Sequence, residues 1–169
     1  MGLETARGEI ILSADADSIY PAEWGNRYVK TLMEQEDVAV VYGRYSFIPS
    51  KSINRLGLAL HEFGGELMFN RRKGIDLCIN AIGFNTAFRK VQALAVGGYD
   101  PEKLEFENQR SEDGWLAQSL FKKFGKIVLV RTKNRVWTSD RRLLEEGSIA
   151  RASINRVFHY LNGTNLANT

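Results

Sequence analysis

The sequence predicts a single α/β domain in which strands and helices alternate along the chain. Short apolar runs, typical of buried strands, are separated by stretches that carry apolar side chains at helical spacing. The 169 residues, of which 44% are hydrophobic and 25% charged, suit one globular domain. This composition excludes disordered, collagen-like and disulfide-scaffold proteins.

The first half of the chain predicts two strands and two helices. Residues 9–14 form a short apolar run, which indicates a buried parallel strand. Residues 21–35 predict a helix with Met33 among the apolar side chains at helical spacing. Residues 37–47 alternate and are rich in Val and Tyr, so they predict a second strand. Residues 53–69 predict a longer helix.

The second half continues the alternation. Its predicted elements are an extended segment at 80–89, a helix at 90–96, a turn at 97–100, a loop at 101–111, a helix at 111–124, strands at 126–130 and 135–138, and a helix at 148–161. In the helix at 111–124 we expect Phe121 to point inward with the other apolar side chains. The sum is an α/β domain over residues 1–169.

The charge is unevenly distributed, although the net charge is only +3. Residues 122–169 carry 10 basic and 3 acidic side chains, whereas residues 1–121 have an excess of acidic ones. This asymmetry indicates an anionic ligand. The basic residues are not interleaved with aromatic side chains as a stacking platform requires, so no nucleic-acid partner is predicted.

Cysteine content and hydropathy limit the location of the protein. Cys78 is the only cysteine, which excludes an intrachain disulfide. No apolar run reaches the ~18 residues of a membrane span, and residues 1–6 do not open a signal peptide. We expect a cytoplasmic protein, with peripheral contact at the inner membrane surface left open.

Two acidic motifs follow or precede predicted elements. Asp15 and Asp17 come directly after the strand at 9–14, where α/β sheets bind ligands, and paired carboxylates suit Mg²⁺ or Mn²⁺. Asp residues also make turns and helix caps. Glu112 and Asp113 lie at the start of a predicted helix. There they stabilise the helix dipole or supply a general base.

Two further segments are candidates for ligand contacts. Gly83, followed by Phe84, Asn85 and Thr86, allows a ligand to approach the backbone, although strand and turn architecture explains the pattern equally well. The adjacent pair Arg141–Arg142 either clamps phosphate oxygens or forms a solvated surface pair.

Taken in chain order, these motifs resemble the family 2 glycosyltransferases of the GT-A fold. The resemblance rests on the acidic motif at 6–17, Gly-Phe-Asn-Thr-Ala-Phe-Arg-Lys at 83–90, Gly-Gly-Tyr-Asp at 97–100, Ser-Glu-Asp-Gly at 111–114 and Ser-Asp-Arg-Arg at 139–142. It implies a three-layer α/β/α domain with a mixed sheet. It also implies metal-dependent transfer of a hexose-type sugar from a nucleotide-sugar to an acceptor hydroxyl, with inversion, as in polysaccharide biosynthesis.

The resemblance also implies roles for the acidic residues. Asp17 and Asp15 would bind Mg²⁺ or Mn²⁺ together with the donor diphosphate. Asp113 would act as the catalytic base, and Glu112 would position Asp113 or the acceptor.

The remaining candidates are implied to contact substrates. Phe84, Asn85 and Thr86 would contact the donor sugar or the acceptor, and Arg141 and Arg142 would neutralise phosphate. The implied partners are a nucleotide-sugar donor and a carbohydrate or lipid-linked acceptor.

The acidic motif starts at Asp15, whereas the family carries nucleoside-binding strand–helix units upstream of it. We therefore expect a partial domain whose first strand exposes an edge, with a homodimer as one way to cover it. The chain is then a catalytic-core fragment that is inactive alone. The alternatives are a non-catalytic module that binds a nucleotide diphosphate or carbohydrate, and a structural remnant, so whether it is an enzyme stays open.

Overall fold

A computed structural model describes residues 2–48, 63, 83–99, 112–130 and 135–139 of the chain. The helices predicted at 53–69 (apart from residue 63) and at 148–161 lie outside the described residues. So do Cys78 and the loop predicted at 101–111. The architecture is therefore that of the described residues.

The described chain alternates between short strands and helices, as predicted. The helices are α1 (Gly2–Thr5), α2 (Trp24–Glu34), α3 (Lys90–Ala95) and α4 (Glu112–Phe124), with a 3-10 turn at Gly83–Asn85. The strands are β1 (Ile10–Ser13), β2 (Ser18–Ile19), β3 (Val38–Tyr42), β4 (Tyr45–Phe47), β5 (Thr86–Arg89), β6 (Lys126–Leu129) and β7 (Val136–Thr138).

Four strands form the larger sheet, in the order β1-β5-β3-β6. β5 pairs antiparallel with both β1 and β3, and β3 pairs parallel with β6, so the sheet is mixed. Thr86 lies between Ser13 of β1 and Tyr42 of β3. This register brings the ends of three strands together at one end of the sheet, which is called the Thr86 end below.

The predicted strand at 37–47 is two strands, which belong to different sheets. β3 ends at Tyr42, and β4 joins the second sheet, which has the order β2-β7-β4. Gly43 lies at the crossing, where a Cβ would stand only 1.9 Å from the Tyr28 hydroxyl oxygen. The close approach of α2 explains why the chain has glycine where it leaves the first sheet.

Helices cover both faces of the larger sheet. On one face Trp24, Tyr28 and Leu32 of α2 pack with buried side chains of the sheet. On the other face α4 packs through Trp115, Leu116 and Leu120. Every residue of β3 is buried, as expected for a strand enclosed by two helical layers. The described residues therefore form a three-layer α/β/α arrangement.

Two further details of the sequence prediction were wrong, the direction of β1 and the inward orientation of Phe121. β1 is not a parallel strand: it pairs antiparallel with β5 at the sheet edge, and all four of its residues are only half-buried. A short apolar run does not encode strand direction. Met33 is 72% exposed and Phe121 is 43% exposed, because each lies beside the buried stripe of its helix.

At the end of the sheet opposite Thr86, the charged side chain of Arg89 binds backbone carbonyl oxygens. The Arg89 guanidinium donates to the carbonyl oxygens of Val38 (2.7 Å), Gln35 (3.2 Å) and Leu32. Leu32 lies in the last turn of α2 and Gln35 is its C-cap, so a positive charge here also complements the helix dipole, whereas Val38 starts β3. Arg89 therefore joins the end of β5 to the C-terminal end of α2.

Candidate active site at the Thr86 end of the sheet

The acidic motif forms a turn between β1 and β2. Asp15 and Asp17 are both exposed. The Asp15 N–H donates to the Tyr20 hydroxyl at 2.8 Å, and the Ser18 N–H donates to the Asp15 carbonyl at 3.3 Å. The turn thus presents two carboxylates to solvent, while its backbone is bonded to Ser18 and Tyr20.

Tyr20 joins the acidic turn to the segment at 83–86. Its hydroxyl donates to the Phe84 carbonyl oxygen at 3.0 Å. The pKa of Tyr20 is raised, chiefly by burial and further by the negative charges of Asp15 and Asp17. Both carboxylates of the turn are therefore close enough to the phenol to raise its pKa.

Asn85 is part of the scaffold that holds this segment. Its side chain is 1% exposed, and its Oδ1 accepts from Trp24 Nε1 at 2.8 Å and from the Tyr28 hydroxyl at 2.7 Å. Its Nδ2 donates to the Arg44 carbonyl oxygen at 3.3 Å. The side chain is thus committed to buried hydrogen bonds with α2 and with the residue before β4. Burial also raises the pKa of Tyr28.

Phe84 and Thr86 flank Asn85. Phe84 is half-buried and packs edge-on against Tyr45, with ring centroids 5.2 Å apart. Thr86 is 4% exposed and starts β5. Contact of these residues, and of Asn85, with a donor or acceptor stays a prediction.

Asp113 reaches the same segment from the first turn of α4. A Cβ added at Gly83 would stand 2.4 Å from Asp113 Oδ1 and 2.5 Å from Oδ2, so the carboxylate packs directly on the glycine backbone. Asp113 is half-buried, whereas its neighbour Glu112 is exposed. The absence of a side chain at Gly83 allows the Asp113 carboxylate to lie here.

Tyr99 connects the start of α4 to β1. Burial raises the pKa of Tyr99, the nearby Ser13 side chain lowers it, and the charges of Asp113 and Glu112 raise it further. Tyr99, Thr86 and Asp113 also line a cavity of about 10 Å³. Tyr99 follows Gly97 and Gly98, which both have positive φ.

Four carboxylates from two distant stretches of sequence therefore belong to one end of the sheet. Asp15 and Asp17 are joined through Tyr20 to Phe84, and Asp113, next to Glu112, packs on Gly83. Arg141 and Arg142 lie outside the described residues.

The two carboxylates of the acidic turn suit a divalent cation that is also coordinated by a substrate. No cluster of three or more His, Cys, Asp or Glu residues occurs within the described ranges. Two exposed carboxylates still fit Mg²⁺ or Mn²⁺, since such ions commonly use one or two carboxylates, water and phosphate oxygens. Asp15 and Asp17 are the residues that would hold the ion.

Sequence reasoning missed Tyr20 and Tyr99 as members of the site. Tyr20 carried a weak signal, as an aromatic residue between the acidic turn and Pro21. Tyr99 lies inside the Gly-Gly-Tyr-Asp turn that contributes to the family resemblance, but spacing alone does not show that its hydroxyl reaches β1.

Within the described residues no helix is both long and apolar enough to cross a bilayer.

No family model and no curated protein matches the sequence. Solved structures match in fold, among them residues 1–349 of S. aureus TarS, with 15% identity and a TM-score of 0.54, and a mycobacterial protein, with 18% identity and a TM-score of 0.53. The matches cover 89% and 90% of this chain but 41% and 46% of the matched chains, so this chain spans less than half of their length. The fold is therefore a mixed α/β, GT-A-like fold.

Proposed function

We propose that the chain carries the catalytic core of a family 2 glycosyltransferase, which transfers a sugar from a nucleoside diphosphate to an acceptor hydroxyl. The observation that carries the proposal is the packing of Asp113 on Gly83, one residue from the carbonyl that Tyr20 joins to the acidic turn. The chain also shares its fold with S. aureus TarS.

Asp113 is the group best placed to act as the general base. In the proposed step, the acceptor oxygen attacks the anomeric carbon and gives its proton to the Asp113 carboxylate. The bond from that carbon to the diphosphate oxygen breaks, and its electron pair leaves with the nucleoside diphosphate. Attack opposite the leaving group inverts the configuration. Glu112, exposed on the same helical turn, would position the acceptor or Asp113.

Asp15 and Asp17 would hold Mg²⁺ or Mn²⁺ against the donor diphosphate. The ion supplies Lewis-acid stabilisation of the charge that develops on the leaving phosphate. Arg141 and Arg142 are proposed to neutralise further phosphate charge, in line with the basic character of residues 122–169. A carbohydrate or lipid-linked acceptor fits this chemistry, and a lipid-linked one would require contact with a membrane surface.

The proposal is tested by substituting one carboxylate of each motif. Asp113→Asn, tested in a form of the protein that is competent for transfer, should lower the transfer rate by about 10² to 10⁴, the usual contribution of a general base, and should leave binding of Mn²⁺ with a nucleoside diphosphate intact. Asp17→Asn should instead weaken that binding by about tenfold or more. A radiolabelled-donor assay measures transfer, and calorimetry measures binding.

The outcomes separate the proposal from its alternatives. Metal-dependent binding without turnover by the 169-residue chain would favour a nucleotide-diphosphate-binding module, and the absence of both would favour a structural remnant. Full activity of Asp113→Asn would remove Asp113 from the role of base.

A further inference from the structure

We propose that Tyr20 is a positioning residue, whose hydroxyl holds the acidic turn in register with the segment that packs against Asp113. The inference rests on the proposed function, since it explains how the metal-binding carboxylates and the base are kept at a fixed separation. Tyr20 itself is not assigned a part in the chemistry. It acts through the backbones of Asp15 and Phe84.

The hydrogen bonds of Tyr20 define this role. The hydroxyl accepts from the Asp15 N–H at 2.8 Å and donates to the Phe84 carbonyl oxygen at 3.0 Å. A phenol has one hydrogen to donate, so the Asp15 carbonyl oxygen, at 3.5 Å, is the poorer of its two acceptors. One hydroxyl therefore bridges two backbone segments that are about 70 residues apart in sequence.

The ring of Tyr20 is fixed by the same residues that hold Asn85. It packs against Trp24 with ring centroids 4.4 Å apart, and Trp24 lies 5.2 Å from Tyr28. Trp24 and Tyr28 both donate to Asn85 Oδ1. The aromatic row of Tyr20, Trp24 and Tyr28 thus contacts two consecutive residues of the 83–85 segment, at Phe84 through Tyr20 and at Asn85 through the other two.

Two further hydrogen bonds of the acidic turn lie away from the 83–85 segment. The Ser18 N–H donates to the Asp15 carbonyl oxygen at 3.3 Å, and the Ser18 hydroxyl donates to Thr138 Oγ1 at 2.9 Å. Ser13, two residues before Asp15, pairs with Thr86 in the β1–β5 ladder. The Tyr20 hydroxyl adds to this pairing a direct hydrogen-bonded link from the turn to Phe84, next to Gly83.

Tyr20→Phe removes the hydroxyl and keeps the ring. Because Asp15 is exposed and Tyr20 is half-buried, water can solvate the released backbone groups, and the melting temperature should change little. The amide protection of Asp15 against hydrogen exchange should fall about fivefold or more. The affinity for Mn²⁺ with a nucleoside diphosphate should fall about five- to tenfold, as expected for one or two lost hydrogen bonds.

Tyr28→Phe is the matched control. It removes a hydroxyl from the same aromatic row, but that hydroxyl donates to the buried Asn85 side chain rather than to the acidic turn. It should lower the melting temperature more than Tyr20→Phe does, since it leaves a buried acceptor with one bond fewer. It should leave the amide protection of Asp15 as in the wild-type chain.

The experiment combines residue-resolved hydrogen exchange on the unliganded chain with calorimetric titration of Mn²⁺ plus UDP and, separately, plus GDP. Loss of Asp15 protection in Tyr20→Phe alone supports the inference. Wild-type protection of Asp15 in Tyr20→Phe, or equal loss in both variants, overturns it. If the wild-type chain binds neither diphosphate, the proposed function fails, while the exchange data still decide whether Tyr20 holds the turn.

Discussion

The two ends of β5 use polar side chains in opposite ways. At its Arg89 end, positive side chains are bonded by the fold: Arg89 by three carbonyl oxygens, Lys126 by Asp37, and Lys90 by the carbonyl oxygens of Glu4 and Ala6. The Thr86 end instead gathers the negative side chains of the two acidic motifs. One end of the strand stabilises the fold, and the other concentrates charge of a single sign.

This contrast shows how one short strand can contribute both to the stability of the fold and to the proposed site. Asn85 precedes β5 and Arg89 is its last residue. Both bind α2: Arg89 at the C-terminal end of the helix, and Asn85 at Trp24 and Tyr28. Because α2 fixes β5 from both sides, the carboxylates can be placed around a rigid element. Polar groups held by a scaffold in advance are the ones that catalysis uses most effectively.

The largest effect at the Thr86 end is expected from a substitution of Gly83. Gly83→Ala places a Cβ where the Asp113 carboxylate lies, so the carboxylate must move, and the transfer rate should fall about 10- to 100-fold. The same change in an Asp113→Ala background should cost little stability, because the clashing group is gone. Thermal melts of the wild-type chain, the two single variants and the double variant measure this coupling.

The control for this prediction is Gly2→Ala, since a Cβ at Gly2 meets no atom within 4 Å. It should leave both the rate and the melting temperature unchanged. A Gly83→Ala chain with the wild-type rate would show that Asp113 does not need its present position.

The opposite end should respond in stability and not in binding. Arg89→Ala leaves carbonyl oxygens at the C-terminal end of α2 without their charged donor, so the free energy of unfolding should fall by about 2 kcal/mol. Binding of Mn²⁺ with a nucleoside diphosphate should be retained below the melting temperature. Urea unfolding measures the first quantity and calorimetry the second.

Lys30→Ala on α2 is the comparison for Arg89→Ala. Lys30 forms an exposed pair with Glu34 at 3.6 Å, and such pairs contribute little. Equal losses of stability in the two variants would contradict the capping role of Arg89.

The smallest expected effect concerns the exposed pair of Asp37 and Lys126. The hydrogen bond and charge of Lys126 lower the pKa of Asp37 below its ordinary value. A lowered carboxyl pKa adds stability above the unfolded-state value, and this is lost as the pH falls through the folded-state value. The stability difference between the wild-type chain and Asp37→Asn should thus be small, and should vanish as the pH is lowered below about 4. A difference that grows on acidification would contradict it.

Much of the fold could be predicted from periodicity alone. The strands β1, β6 and β7 and the helices α2, α3 and α4 were expected within a few residues of their bounds, whereas the extended segment expected at 80–89 contains a 3-10 turn at Gly83–Asn85 before β5. Hydrophobic spacing encodes these elements directly. It does not encode strand direction or the choice of sheet, so the antiparallel pairing of β1 and the break at Gly43 became visible only in the structure.

The candidate site was predictable in its charged residues and not in its supports. Asp15, Asp17 and Asp113 stand out because carboxylates at element ends suggest chemistry, yet their roles stay predictions. The supports act through single atoms, such as the Tyr20 hydroxyl and the missing side chain of Gly83. Asn85 shows the converse, since a polar residue in a motif that suggests ligand contact proved to be deeply buried in the scaffold.

The register of β3 against β6 shifts between Val38 and Val40, and this shift determines whether β3 can gain or lose a residue. Val38 aligns with Lys126 and Val40 with the very next residue of β6, Ile127, so Ala39 is an extra residue in β3. As a result Ala39 and Val40 both belong to the α4 side of the sheet, while Val38 and Val41 belong to the α2 side. Deleting one residue here would turn Val38 toward the wrong helix, whereas a conservative replacement would not. The number of residues in this strand is therefore constrained more tightly than their identity.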